Sequence, residues 1–356
     1  MNTPATRKLG IRHPVVQGPF GGTFSTVRLA AAVSNLGGLG SYGLQAFDPP
    51  AIRHIIGELR AATNQPFAVN LWVSDQDTAE PAALQSTFES LRQRLAPIHE
   101  ELGIAPPAFP EEALVSGNGG FDQQVEAVLE ARPPIFSFVF GIPPAAVLRE
   151  CRRQGIVTLG AATTVDEARA IEAAGVDAVV ATGFEAGGHR PSFLRPTGES
   201  LHGTLPLVAA VVEAVKIPVI AAGGIASGRG VAAALALGAG AAQIGTAFLA
   251  CDESGAHPFH KAVLRSGRAG ETTLTRAYTG RLARFVRNRL MDELDDTPLL
   301  PFPWQSHAMA AIKESALTHA RADLAALYAG QGAPLLRHTT AAELLWDLLA
   351  PAAETS

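Results

Sequence analysis

The chain has 356 residues, enough for one large domain or two moderate ones, and its 47% hydrophobic content supplies a sizeable core. A formal net charge of −5 argues against nucleic acid or an anionic membrane as the main partner. With 35 glycines and only 6% aromatic residues, the composition favours tight loops and close-packed small side chains over an aromatic binding platform.

The N-terminus, MNTPATRKLGIRHP, has no apolar signal core. Short apolar runs then alternate with amphipathic segments. Strands are expected at Val15–Gly18, Gly38–Leu44 and Phe67–Val73, with helices from Ser25 to Ser34 and from Asp48-Pro49 to Ala61. The rhythm breaks from Ser74 to Gly120, which reads as an insertion with a helix over Ala82–Leu102 and a proline-rich loop, Pro106–Pro110. Strands resume at Ile135–Phe140 and Ile156–Ala161, with helices at Gln123–Ala131, Pro144–Gln154 and Val165–Ala174. A sixth strand at Val176–Val180 opens into the loop ATGFEAGGHRP, 181–191. It presents one carboxylate, Glu185, and one imidazole, His189, beside three glycines. A helix at Leu205–Val215, a seventh strand at Pro218–Ala222, a helix at Ser227–Leu237 and an eighth strand at Ala241–Leu249 complete the rhythm.

Eight strands alternating with helices over roughly 250 residues give the count and size of a (β/α)8 barrel. An open doubly wound sheet is the alternative. Its one literal support is Gly38-Leu-Gly40-Ser-Tyr-Gly43. There the glycines lie within a strand, and the next helix signal comes only at Asp48. Residues 1–255 are read as the barrel and 256–356 as a helical region packed across its mouth, with helices at Pro258–Ser266, Ser306–Tyr328 and Ala341–Leu349. The basic run RAYTGRLARFVRNR, 276–289, reads as helix and loop lining an anionic site, or as a solvated face. Cys151 and Cys251 make no disulfide framework and have no partners at metal-ligand spacing, so no metal site is expected. Gly230–Cys251 carries no charge, but it breaks at Gly238 and Gly240 into a helical and a strand half, so it reads as soluble core. A cytoplasmic location is expected.

In such barrels function sits on the loops at the C-terminal strand ends. The sequence places Gln17-Gly18, Asn70, His189, Gly223-Gly224 and Gln243-Ile244-Gly245-Thr246 there. Paired glycine turns after the seventh and eighth strands suit a phosphate group, helped by the helix that opens at Ser227. Amide side chains lower in the mouth suit a phosphorylated cofactor with a polar ring.

AVVATGFEAGGHR, PVIAAGGIASGRGVAAALALGA and AQIGTAFLACDESGAHPFH resemble the nitronate monooxygenases, formerly called 2-nitropropane dioxygenases. The resemblance runs from VVQGPFGG to LYAGQG at 327–332. It implies an FMN-dependent barrel that oxidises alkyl nitronates with dioxygen to a carbonyl compound and nitrite. It implies flavin contacts at Gln17, Gly18, Asn70, Thr182, Gly187, Gly223, Gly224, Gln243, Ile244, Gly245 and Thr246, and a catalytic His189. Thr182 stands where many members have Gln, and Phe20 where Met is common. One branch of the family has its catalytic histidine after the fifth strand; Gly160-Ala161-Ala162 here has none. A small-molecule nitronate and dioxygen are the expected partners, and a homodimer is compatible with the sequence. The broader flavin family also holds NAD(P)H-dependent enoyl-thioester and quinone reductases. A flavin-free barrel that binds a phosphorylated metabolite is the alternative of another class.

Overall fold

A computed structural model of the protein describes residues 2–74, 77, 81–109 and 120–350. In chain order its strands are β1 (Val15–Gln17), β2 (Gly40–Gly43), β3 (Phe67–Trp72), β4 (Ile135–Val139), β5 (Val157–Ala162), β6 (Ala178–Thr182), β7 (Gly188–His189), β8 (Val219–Ala222), β9 (Ala241–Ile244), β10 (Thr272–Thr275) and β11 (Ala283–Val286). Eight of them form one parallel sheet in the order β1-β9-β8-β6-β5-β4-β3-β2. A bridge between Val16 and Leu39 closes the ring, with Gln17 N–H donating to Leu39 O at 2.8 Å and Leu39 N–H to Val15 O at 2.9 Å. The fold is the expected (β/α)8 barrel, not an open sheet.

Period-two alternation divides each strand between two cores. Inward residues such as Val16, Ala68, Ile135, Leu159, Val180 and Ile220 fill the barrel. Ala5, Leu9 and Ile11 join them from below. The helix Pro4–Leu9, capped by Thr3 and absent from the sequence reading, carries two of these. The hydroxyl of Thr3 donates to Gly240 O just ahead of β9, which places this plug at the N-terminal ends of the strands. Outward residues such as Val69, Phe136, Val179, Val219 and Ala242 pack beneath the ring of helices.

The helix Pro49–Ala62 shows why these segments coil. Asp48 accepts from Ala51 N–H as its cap, and Pro49 follows at the first helical position. Ile52, Ile55, Ile56 and Leu59 then form one buried stripe. Each such side chain contributes about 1.5–3 kcal/mol on burial. Gly40 and Gly43, from the literal dinucleotide pattern, serve packing. A Cβ on Gly40 would lie on the carbonyl of Ala30, and one on Gly43 on that of Phe20.

Several expectations change. The eighth strand ends at Ile244, not Leu249; Gly245 turns the chain into the short helix Thr246–Leu249. The region beyond Cys251 is not helical throughout. It adds β10 and β11, which pair antiparallel with each other and with β7. The run 276–289 holds β11 between a turn and the capped helix Arg289–Glu293. Ser306–Tyr328 divides into helices Trp304–Ala308 and Ala310–Thr318, followed by irregular chain. Within the insertion the helix spans Pro81–Leu102. Of the proline-rich loop, Pro110 lies outside the described residues. Phe88, Leu91 and Leu95 of that helix share a second core with Tyr278, Phe285 and Ile312 from the C-terminal region. No helix among the described residues is long and apolar enough to cross a membrane.

Candidate active site

The inward rows change character along the strands. Their first residues are apolar, as in Ala68, Ile135 and Ala241. Two and four positions later come Asn70 and Trp72 on β3, Ser137 on β4 and Gln243 on β9. These line a cavity of about 660 Å³ at the C-terminal face of the barrel.

Gly18, Asn70, Thr182, Gly187, His189, Gly223, Gly224, Gln243, Gly245 and Thr246 all border this cavity. Gln17 and Ile244 do not. They are register partners on the outward rows of β1 and β9. Ile244 is packed in the outer core. The Gln17 side chain is fully buried, and its Oε1 accepts from Ser41 N–H at 2.8 Å, sealing the seam between β1 and β2. Glu185 also stays out of the cavity. Its carboxylate accepts from Thr204 N–H and the Thr204 hydroxyl and so caps the helix Thr204–Ala214.

The glycine turns are covered by the segment Gly330–Gly332. Gly330 N–H donates to Thr246 Oγ1 at 2.9 Å, and Gln331 N–H donates to Glu185 O at 2.9 Å. A Cβ on Gly187 would come within 2.6 Å of Gly330 N, so only glycine permits this approach. A Cβ on Gly245 would meet nothing within 4 Å, so the space beside that turn is open. Asn70 donates to Ser137 Oγ at 2.9 Å, which leaves its own Oδ1 without a partner among the described residues. The amide of Gln243 and the hydroxyl of Thr182 also lack partners there. Polar groups that line a cavity without protein partners are available to a ligand or water. The open turn at Gly245 and the unpaired amides together fit a flat polar ring with a phosphate tail.

His189 sits on β7, held by pairing with Ala283 on β11. Its Nε2 lies 3.0 Å from Thr279 Oγ1. Trp72, Tyr328 and Phe140 surround the ring at centroid distances of 5.2, 5.9 and 6.3 Å. Its edge opens to the cavity, yet it lies deep in the molecule. Burial, then the nearby charges of Arg281 and Lys313, push its pKa down to about 3, so the imidazole is neutral.

Three features lay beyond the sequence reading. Lys313, from the helix Ala310–Thr318, lines the cavity and donates to Ser306 Oγ at 3.0 Å. It has no carboxylate at ion-pairing distance among the described residues, and burial lowers its pKa to about 8. Arg281 is stacked on Phe140 and Phe302, with its Cζ 4.3 and 4.8 Å from their ring centroids, and paired with Asp77 at 2.8 Å. Finally, aromatic rings line the cavity: Phe20, Phe24, Trp72, Phe138, Phe140, Phe302 and Tyr328. The low aromatic content therefore misleads, because several of the few rings gather around one cavity. Trp72 was legible from parity, two residues after Asn70. Lys313 had no such signal, since only tertiary packing brings its helix to the mouth. Among the described residues no cluster of His, Cys, Asp or Glu could hold a metal ion.

The family model described as nitronate monooxygenase matches residues 2–351. A nitronate monooxygenase of Pseudomonas aeruginosa is 42% identical over 97% of this chain and 97% of its own. One from Paraburkholderia phytofirmans is 42% identical over 96% and 92%. The solved structure of a nitroalkane oxidase from Streptomyces ansochromogenes superposes with a TM-score of 0.87 and 38% identity, covering 97% of this chain and 96% of that one. Sequence, barrel and cavity agree, and the chain belongs to the nitronate monooxygenase family of flavin enzymes.

Proposed function

We propose that this protein binds FMN in the barrel mouth and oxidises alkyl nitronates with dioxygen to a carbonyl compound and nitrite. The observation that carries the reading is the single cavity that joins glycine turns to aromatic rings and one buried cation, Lys313. A nitronate is an anion with an apolar tail, and the cation and the rings match both parts.

Gly223-Gly224 and Gly245-Thr246 would hold the phosphate through backbone N–H groups, aided by the helix that begins after Ser227. The side chains of Asn70, Thr182 and Gln243 would meet the polar edge of the ring. Bound flavin would supply the electron chemistry between nitronate and dioxygen. The remaining work falls to the chain. Lys313 attracts and orients the anion; the rings of Trp72, Phe140 and Phe302 receive its tail and keep water out. His189 acts beside the reacting carbon. As a neutral imidazole it offers a lone pair for the α-proton of a nitroalkane not yet ionised, while its burial weakens it as a base.

Oxygen uptake and nitrite release by the FMN-loaded protein, with ethyl or propyl nitronate as sole substrate, test this reading. Turnover that instead requires NADH and an enoyl thioester or quinone would replace it with the reductase alternative.

A further inference from the structure

The hydrogen bonds around His189 decide which of its nitrogens is available. The hydroxyl of Thr279 has one proton. The carbonyl of Arg281, 3.1 Å away, can only accept, so it draws that proton. With that bond made, Thr279 Oγ1 accepts in its contact with His189 Nε2 at 3.0 Å. The imidazole then carries its proton on Nε2. Its Nδ1 has no hydrogen-bond partner among the described residues, and the residue itself lines the cavity. Neither end of this chain is free to turn. The Arg281 guanidinium is clamped by Asp77 and by Ser74 O at 2.9 Å. The imidazole is boxed by Trp72, Phe140 and Tyr328.

We propose that Thr279 is a positioning residue that fixes His189 as the Nε2–H tautomer and so presents the Nδ1 lone pair to the substrate. The proposal rests on the reading of the site given above. With a neutral nitroalkane, the α-proton moves to Nδ1, and the electron pair of the broken C–H bond stays on the nitronate. With a preformed nitronate, Nδ1 can only accept, so it does not bind the anion's oxygens, and attraction falls to Lys313. A tautomer set by its far-side partner is a general device of catalytic histidines. Here the partner is a hydroxyl whose own direction is set by a backbone carbonyl.

The test uses FMN-loaded protein labelled with 15N-histidine, with His189 assigned by the signal lost in His189→Asn. Wild-type protein should show a protonated Nε2 and an unprotonated Nδ1. Thr279→Val should give a mixture of tautomers, and its kcat/KM for a neutral nitroalkane should fall roughly 10- to 100-fold, the range for a lost orienting partner. Its kcat/KM for the preformed nitronate should change by less than about threefold. Thr279→Ser should restore both tautomer and rate. A wild-type Nδ1–H tautomer overturns the proposal, and so does a valine variant with unchanged tautomer and rates. Should valine disturb folding, the wild-type spectrum and the serine variant still decide. A correct tautomer together with a His189→Asn variant active on both substrate forms would sink the role of His189 in the reaction and leave the tautomer assignment standing.

Discussion

At the scale of single residues, charge and open space make separate statements that can be tested apart. Gly245 has room for a side chain, so Gly245→Asp should fold normally. A carboxylate beside the phosphate position should nevertheless abolish retention of FMN, whereas Gly245→Ala should weaken it less. Retained yellow colour in the aspartate variant would remove the phosphate from this turn. Lys313 is the other decisive residue. Losing a charged hydrogen bond to a bound anion costs about 1.5–3 kcal/mol, so Lys313→Met should lower kcat/KM for nitronates by roughly 10- to 100-fold, mostly through KM. The pH profile carries the same signature. The amine must be protonated to attract an anion, and its pKa is lowered to about 8. The kcat/KM of wild-type protein should therefore fall above about pH 8, and the methionine variant should lack that limb.

At the scale of elements, the barrel strands were readable because each is a short apolar run between turn and cap signals. Period-two parity held more than composition did. Val16, Ala68 and Asn70 face inward, so Gln17 and Ile244, one step off those rows, had to face outward. The strand-end reading and the motif resemblance had both grouped Gln17 and Ile244 with Asn70 at the barrel mouth. The C-terminal region was harder to read for a physical reason. β10 and β11 are half polar in sequence, TTLT and ARFV, and they exist because they complete a ladder with β7, far away in the chain. The helix Thr246–Leu249 was lost inside an apolar run that fits helix or strand equally well. The insertion helix Pro81–Leu102 and the C-terminal region form one core, which gives another expectation. Phe88 is buried there and packs edge-on against Phe109 at 5.2 Å. Phe88→Ala should destabilise the protein by about 3–5 kcal/mol in urea unfolding. A loss below about 1 kcal/mol would mean that this helix is not integral to the fold.

At the scale of the whole molecule, burial of neutral histidines sets the response to acid. His260 is buried, donates to Tyr328 O at 2.9 Å, and has a pKa pushed down to about 4, chiefly by burial. The unfolded chain takes up that proton near pH 6.5 and the folded protein only near 4. The stability contributed is thus fully present above pH 6.5 and is lost as pH falls toward 4, by up to about 1.4 kcal/mol per pH unit. His260→Gln keeps a donor for the carbonyl but cannot titrate. Its urea midpoint should fall less steeply than that of wild-type protein between pH 7 and pH 4, and equal slopes would contradict the assignment.

The same whole-molecule view unites barrel and C-terminal region around one cavity, and its central claim is that a flavin there takes electrons from a nitronate. The most direct measurement is the visible spectrum of the purified protein without oxygen. The account predicts a bound flavin spectrum that bleaches on addition of nitronate, returns when air is admitted, and is little changed by NADH. A colourless protein that takes up no FMN, or a flavin that bleaches with NADH and is indifferent to nitronate, would contradict it.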